Sequence, residues 1–259
     1  MRRGLPDDRR TWSAAALVQP AFRPLLTAVH GAFLSAGARR VTTGNYAVTP
    51  GCGFTGEQVD ALCAVAGELA RAAVESQRAR EAAAAAAEPR EPLGVLGCLP
   101  PLVESYRPDL VLPHEEGAQW YRRIVRALLP YADAFLAETM SSIAEAGQAA
   151  AAVAQEGGAR ALLVSWTLNG DGRLRSGEPA TQAVRAALAW PAVQLEAVLF
   201  NCCEPEAVDK ALSALRADAA LMQALREHGV GLGAYANRLT PVPPGWSLAG
   251  AAQAQPMRR

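Results

Sequence analysis

Six short runs of apolar, β-branched residues, each set beside a longer amphipathic stretch, predict an α/β chain built on a parallel sheet. No Gly-x-Gly-x-x-Gly run opens the alternation, so the pattern favours a (β/α)8 TIM barrel over a dinucleotide-binding sheet. The length of 259 residues suits one such domain. A closed barrel of this type has eight strands. Six are legible, so the expected barrel is incomplete, lacking its first and last strands.

The predicted strands are Arg40–Thr43, Gly94–Cys98, Ala134–Ala137, Ala161–Thr167, Ala197–Asn201 and Val230–Tyr235. Apolar positions at helical spacing predict helices over Gln19–Ala36, Gly56–Glu88, His114–Leu129, Ile143–Glu156, Ala180–Ala189 and Pro205–His228. Gly157-Gly158 reads as a helix stop before the next strand. The alanine run Ala82–Ala87 is a strong helix former and reads as an extension of the second helix. Residues 1–245 are assigned to the barrel, and 246–259 to a disordered tail without strand or helix signal. A barrel open at two edges would favour association, so a homo-oligomer is a further expectation.

Composition excludes several classes of function. Lys+Arg and Asp+Glu stand at 25 each, which removes the general attraction that nucleic acid or an anionic membrane would need. No stretch approaches the roughly 18 to 20 apolar residues of a membrane span, and the arginine-rich start has no apolar region behind it. A cytoplasmic protein is expected. Five cysteines in an otherwise ordinary composition favour reduced thiols over a disulfide framework.

In a barrel the loops leaving the C-terminal ends of the strands build the active site. Reading those ends in order gives Thr43 to Tyr46, then Gly97, Cys98 and Pro100, then Glu138 and Thr139, then Ser165 and Thr167, then Asn201 and Cys202, then Asn237. One acid, two thiols and several neutral hydrogen-bonding groups stand at these positions. Glu138 is read as ending an apolar strand, where a carboxylate is costly to bury unless partnered. Its alternatives are substrate binding and pairing with a nearby arginine. Asn201 is read either as orienting Cys202 or as tying down the loop. Cys203 follows Cys202 directly, and alternation along a strand would send the two side chains opposite ways. The three histidines, His30, His114 and His228, fall within or at the ends of predicted helices and are read as structural.

At these strand ends the chain resembles the homocysteine S-methyltransferase family. The resemblance runs from Arg3-Gly4 and Trp12-Ser13 through Phe33–Ala38 and Thr43–Tyr46. It continues at Gly97–Pro101, Ser105–Asp109, Glu138–Met140 with Glu145-Ala146, and Ser165–Leu168 with Gly177, and it closes at Asn201-Cys202 and Ala236-Asn237. It implies a single barrel holding Zn2+ on three cysteines, the first matched by Cys202. The adjacent pair that supplies the other two, in a Gly-Gly-Cys-Cys setting, has no counterpart here, and neither does an opening Asp-Gly-Gly strand. The resemblance also places Glu138 at the substrate amino group. Thr43 and Asn45 match a threonine-asparagine stretch imperfectly, because Gly44 stands where the family has asparagine, and Thr43 is expected to hydrogen-bond the amino acid or to cap its loop.

The implied reaction is methyl transfer from a sulfonium donor, S-methylmethionine or S-adenosylmethionine, to homocysteine, giving methionine. A thiolate is the nucleophile, and zinc deprotonates a coordinated thiol. Three protein thiolates plus the substrate sulfur would complete a tetrahedral set. Cys202 alone leaves that set short. The alternative expectation is a catalytically inactive family member truncated at both ends.

Overall fold

The computed structural model describes residues 12–84 and 91–237. Six strands form one sheet in the order β1-β2-β3-β4-β5-β6: Arg40–Thr42, Gly94–Leu99, Ala134–Met140, Ala161–Trp166, Leu195–Asn201 and Gly231–Tyr235. The helices are α1 Ala15–Val18, α2 Arg23–Ser35, α3 Gly56–Ala83, α4 His114–Leu128, α5 Ile143–Glu156, α6 Ala180–Leu188, α7 Pro205–Ala217 and α8 Ala219–Glu227. Strands hydrogen-bonded in chain order with helical crossovers are the topology of an incomplete (β/α) barrel. All six predicted strands are present, within a residue or two at most boundaries. The disordered tail expected at 246–259 lies outside the described residues, as do the last residues of the alanine run.

The chain divides into two compact units. Unit 1 comprises residues 1–99 and 123–136. Here β1 pairs parallel to β2, with Arg40 opposite Gly94 and Thr42 opposite Leu96. Its core joins Leu34 of α2, Val41 of β1, Ala70, Ala73 and Val74 of α3, and Leu93 and Val95 around the start of β2. The 28-residue α3 begins with a reciprocal cap, in which Thr55 Oγ1 accepts from Gln58 N while Gln58 Oε1 accepts from Thr55 N. Small residues on its buried face, Ala66, Gly67, Ala70 and Ala73, allow close packing.

Unit 2 comprises residues 100–122 and 137–259. Here β4 pairs parallel to β5 and β5 to β6, with Ser165 opposite Leu199 and Asn201 opposite Tyr235. Trp166, Tyr121, Phe200, Met140, Leu162 and Leu174 are fully buried in its core. The polar atoms of the two large aromatics are satisfied there. Trp166 Nε1 donates to Ser142 O at 3.2 Å, and the Tyr121 hydroxyl donates to Pro100 O at 2.9 Å. The stop predicted at Gly157-Gly158 is real: Gly157 caps α5 and Gly158 takes a left-handed φ of 61°.

Two expectations need correction. The single helix predicted over Pro205–His228 is two. Asp218 leaves the helical region (φ −94°, ψ 84°), and its carboxylate accepts from Leu221 N at 3.0 Å, which starts α8 afresh. The third strand runs on to Met140, so Glu138 sits inside β3 and does not end it. Apolar periodicity stopped at the first charged residue, whereas the backbone pairing continues through it.

Candidate functional site

The C-terminal ends of β3, β4 and β5 in unit 2 carry a connected polar network. Ser165 Oγ donates to Asn201 Oδ1 at 2.7 Å, and Asn201 Nδ2 donates to Thr139 Oγ1 at 2.7 Å. Because Thr139 Oγ1 accepts that bond, its own proton is directed to the Cys202 sulfur, with which Thr139 is hydrogen-bonded. Asn201, Ser165 and Thr139 are almost fully buried, so each link of the chain is fixed by the desolvation cost of breaking it. Thr167 Oγ1 holds the Cys202 carbonyl at 3.2 Å, and Asn237 N holds the Cys203 carbonyl at 3.0 Å. The Asn201–Cys203 segment is therefore gripped by side chain and backbone together.

Three residues of this network have left-handed backbones without being glycine: Tyr106 (φ 67°), Thr139 (φ 63°) and Cys202 (φ 50°). For a β-branched residue in a strand such a φ is an outlier. Each costs on the order of 1–3 kcal/mol and persists only where surrounding contacts over-determine it. Two of them meet the third, since both the Tyr106 phenol and Thr139 hydrogen-bond the half-buried Cys202 sulfur. Strain at two strand-end residues and one loop residue that meet at the Cys202 sulfur marks the site more sharply than any single residue does.

Charge flanks the thiol. Glu138 lies near enough for its carboxylate to disfavour the Cys202 thiolate, and Glu138 Oε1 accepts from the Tyr235 hydroxyl at 2.9 Å. Neither of the roles weighed for Glu138 named Tyr235 as a partner. Burial is the largest influence on Cys202 and pushes its pKa up. Hydrogen bonds from Thr139, Tyr106 and Asn201 oppose that rise, and Glu138 reinforces it. Cys203 is pushed up to about 11, again by burial first. Arg175 stands on the loop after β4, with its guanidinium carbon 5.6 Å from the Tyr106 ring centroid and its charge felt at Cys203. Burial and the neighbouring Cys202 push the Tyr106 phenol above its ordinary range.

The directions of Cys202 and Cys203 are not set by strand alternation here. Alternation applies to extended backbone, and Cys202 is left-handed. The Cys202 thiol meets the Tyr106 phenol, whereas the Cys203 thiol meets the Leu168 backbone and feels Tyr106 only through charge.

The remaining sequence candidates lie in unit 1. Thr43 is buried, donates to Asn45 Oδ1 at 2.6 Å and accepts from Cys98 N at 2.9 Å, while Asn45 Nδ2 donates to Cys98 O at 3.0 Å. This closed network ties the end of β1 to β2 and surrounds Cys98 with protein. Cys63 is buried in α3 and its thiol is pushed up by burial, as a packing residue. His30 is buried in α2 and held neutral, its pKa lowered to about 4 by desolvation. The sequence reading missed Tyr106 and Arg175 as site residues. Tyr106 lies in the stretch that carried the family resemblance, but nothing in its local pattern distinguishes it from a loop tyrosine.

The family model described as homocysteine S-methyltransferase matches residues 2–255. The chain belongs to that family. Among solved structures, this family member is similar to the homocysteine methyltransferase MmuM from Escherichia coli. The metallated form aligns at 27% identity over 92% of this chain and 88% of that chain, with a TM-score of 0.73. The oxidized form gives 27% identity over the same shares and a TM-score of 0.72. The apo form gives 25% identity over 84% and 82%, with a TM-score of 0.63. Comparison with curated protein sequences gives no match.

The zinc implied by the resemblance can be tested against the residues present. Among the described residues, no three His, Cys, Asp or Glu side chains come together to hold a metal ion. Cys202 and Cys203 offer two sulfurs where a structural or catalytic zinc takes at least three protein ligands. The described donors do not fit the metal. All five cysteines are free, and among the described residues no helix is long and apolar enough to cross a membrane.

Proposed function

We propose that this chain binds homocysteine at the strand ends of unit 2 and directs methyl transfer to its sulfur from a sulfonium donor, S-methylmethionine or S-adenosylmethionine. The observation that carries this reading is the strained Cys202, met at its sulfur by the equally strained Tyr106 and Thr139, beside the Glu138 carboxylate. Glu138 is the anion that receives the substrate ammonium, with Tyr235 holding its carboxylate in place. Asn201 acts by positioning, passing the Ser165 constraint to Thr139 and so to Cys202.

The step itself balances simply. The homocysteine sulfur forms a bond to the methyl carbon while the donor carbon–sulfur bond breaks, its electron pair returning to the donor sulfur. The thiol proton leaves as methionine forms. Free cysteines and balanced charge support a reducing, cytoplasmic setting for this chemistry.

A second reading is favoured by one observation, the shortage of metal donors among the described residues. In it the chain binds homocysteine without turning it over. Purified protein incubated with homocysteine and each sulfonium donor decides between them, with methionine read by mass spectrometry and metal by elemental analysis. Methionine formation that falls at least tenfold in Glu138→Gln supports the first reading. Homocysteine binding by calorimetry with neither methionine nor bound metal supports the second. Absence of binding overturns both.

A further inference from the structure

The loop between β2 and α4 brings Tyr106 to the Cys202 sulfur and is tied down near both ends. The Tyr121 hydroxyl of α4 donates to Pro100 O at 2.9 Å, and Gln148 Nε2 of α5 donates to Leu112 O at 2.7 Å. Between these ties the loop lies over a pocket, lined by Leu102, Glu104 and Arg107 from the loop and by Tyr121, Glu145 and Gln148 from the two helices. The pocket is too tight to hold a water molecule.

Glu145, in the first turn of α5, is 4% exposed. Ser141 N and Ser141 Oγ donate to its Oε2 at 2.6 and 2.7 Å. Burial raises its pKa from 4.5 to about 7, and the Ser141 bonds oppose that rise. The charges nearby do not offset the burial. In the loop, Glu104 has the same sign, and the Arg107 guanidinium is engaged by Asp109 at 2.7 and 2.6 Å. From the loop after β4, Glu178 accepts from Ile143 N at 2.9 Å, which sets another anion at the start of α5. Glu138 of β3 is bonded to Tyr235, and β4 carries no ionisable side chain. The one charge on α6, Arg185, pairs with Asp218. On α4, His114, Glu115 and Glu116 are exposed, and Arg122 turns to Glu115 and Gln155.

We propose that Glu145 is a proton-operated latch for the loop that carries Tyr106. Protonated, it lies as a neutral group beneath the seated loop. Ionised, it demands water that the closed pocket cannot hold, and the loop lifts to admit it. Lifting also relieves the left-handed φ of 67° at Tyr106, a conformation kept only while contacts enforce it. Tyr106 reaches Cys202 from the seated loop, so the latch governs that contact whatever the substrate.

Hydrogen exchange on the full chain tests the latch at the Leu110 amide, which donates to Arg107 O at 3.0 Å within the loop. An opening that returns Glu145 to its ordinary value becomes about tenfold more favourable between pH 6 and pH 8. Wild type and Glu145→Gln share the loop sequence, so the ratio of their exchange rates cancels the intrinsic dependence of exchange on pH. That ratio is expected to grow about tenfold over the same interval. A ratio that stays constant within about twofold would overturn the proposal. So would a Leu110 amide that exchanges no faster than the slowest amides of α7, because the loop would then open only with global unfolding. Should Glu145→Gln fail to fold, wild-type rates divided by those of a free peptide of the loop give the same comparison, with the same two outcomes.

Discussion

Replacing Asn201 by alanine removes the middle of the chain that leads from Ser165 to Cys202. Two buried hydrogen bonds disappear, each 2.7 Å long. The Ser165 hydroxyl, with no exposed surface, loses its acceptor, and Thr139 Oγ1, 1% exposed, loses its donor. Each bond is worth about 1 kcal/mol net, and a stranded buried group costs about 1–3 kcal/mol. Thr139 keeps its bond to the Cys202 sulfur, so its share is the smaller. A total loss of about 2–4 kcal/mol follows, read as a shift of the urea midpoint at unchanged slope. A double-mutant cycle with Ser165→Ala sharpens the test, because the second truncation costs much less once Asn201 is gone. The Cys202 pKa, followed by the pH dependence of alkylation, should rise at the same time, since one donor is lost and another is no longer held. A loss below about 1 kcal/mol with additive single effects would refute the reasoning. The four side chains would then be neighbours without being a network.

Other predictions concern stability. Glu145 is buried, accepts from Ser141 N and Oγ, and has its pKa raised by desolvation from 4.5 to about 7. A raised carboxyl pKa means that stability present below pH 4.5 is lost as pH climbs to about 7, by an amount on the order of 3 kcal/mol. Glu145→Gln should flatten that decline in urea titrations between pH 5 and 8, and parallel curves would disprove the assignment. His30 acts with the opposite sign. Its pKa is lowered from 6.5 to about 4, so stability present above pH 6.5 is lost as acid approaches pH 4. His30→Leu, which also removes a buried Nε2 without a partner, should exceed wild type by about 2 kcal/mol near pH 5, while a variant weaker than wild type at that pH would count against a buried neutral histidine. Gly117 of α4 faces Gln148 of α5 so closely that an added Cβ would lie 1.9 Å from Gln148 Oε1, whose amide donates to Leu112 O at 2.7 Å. Gly117→Ala should cost about 1–3 kcal/mol by forcing that side chain aside, and an unchanged melting temperature would show the contact to be soft.

The fold was legible because its signal is local. Each strand is an apolar run, each helix has its own period, and right-handed crossovers leave few ways to assemble them. The errors came where pairing or capping overrides composition. β3 carries Glu138 through its interior because the backbone ladder continues past a charged side chain, and Asp218 divides a periodic run because its carboxylate caps the next helix. Site residues at strand ends were legible for the same reason as the strands: Thr139, Ser165, Asn201 and Cys202 follow directly from where each apolar run stops. Tyr106 and Arg175 were not, because each enters the site from the middle of a loop.

The Cys202-Cys203 pair shows where a pattern argument stops working. Alternation of side chains is a property of extended backbone, and the sequence Phe-Asn-Cys-Cys-Glu-Pro carries no mark of the residue at which extension ends. That residue is Cys202. Its left-handed turn has no glycine to announce it and is fixed by distant partners, with Thr167 on its carbonyl, Asn237 on the carbonyl of Cys203, and Tyr106 and Thr139 on its sulfur. The conformation of the pair is therefore set by contacts spread over much of unit 2. Loosening any one of them should return the pair toward alternation, so Thr167→Val should alter the relative alkylation rates of the two cysteines even though it touches neither sulfur. Unchanged relative rates would mean that the local sequence alone holds the turn.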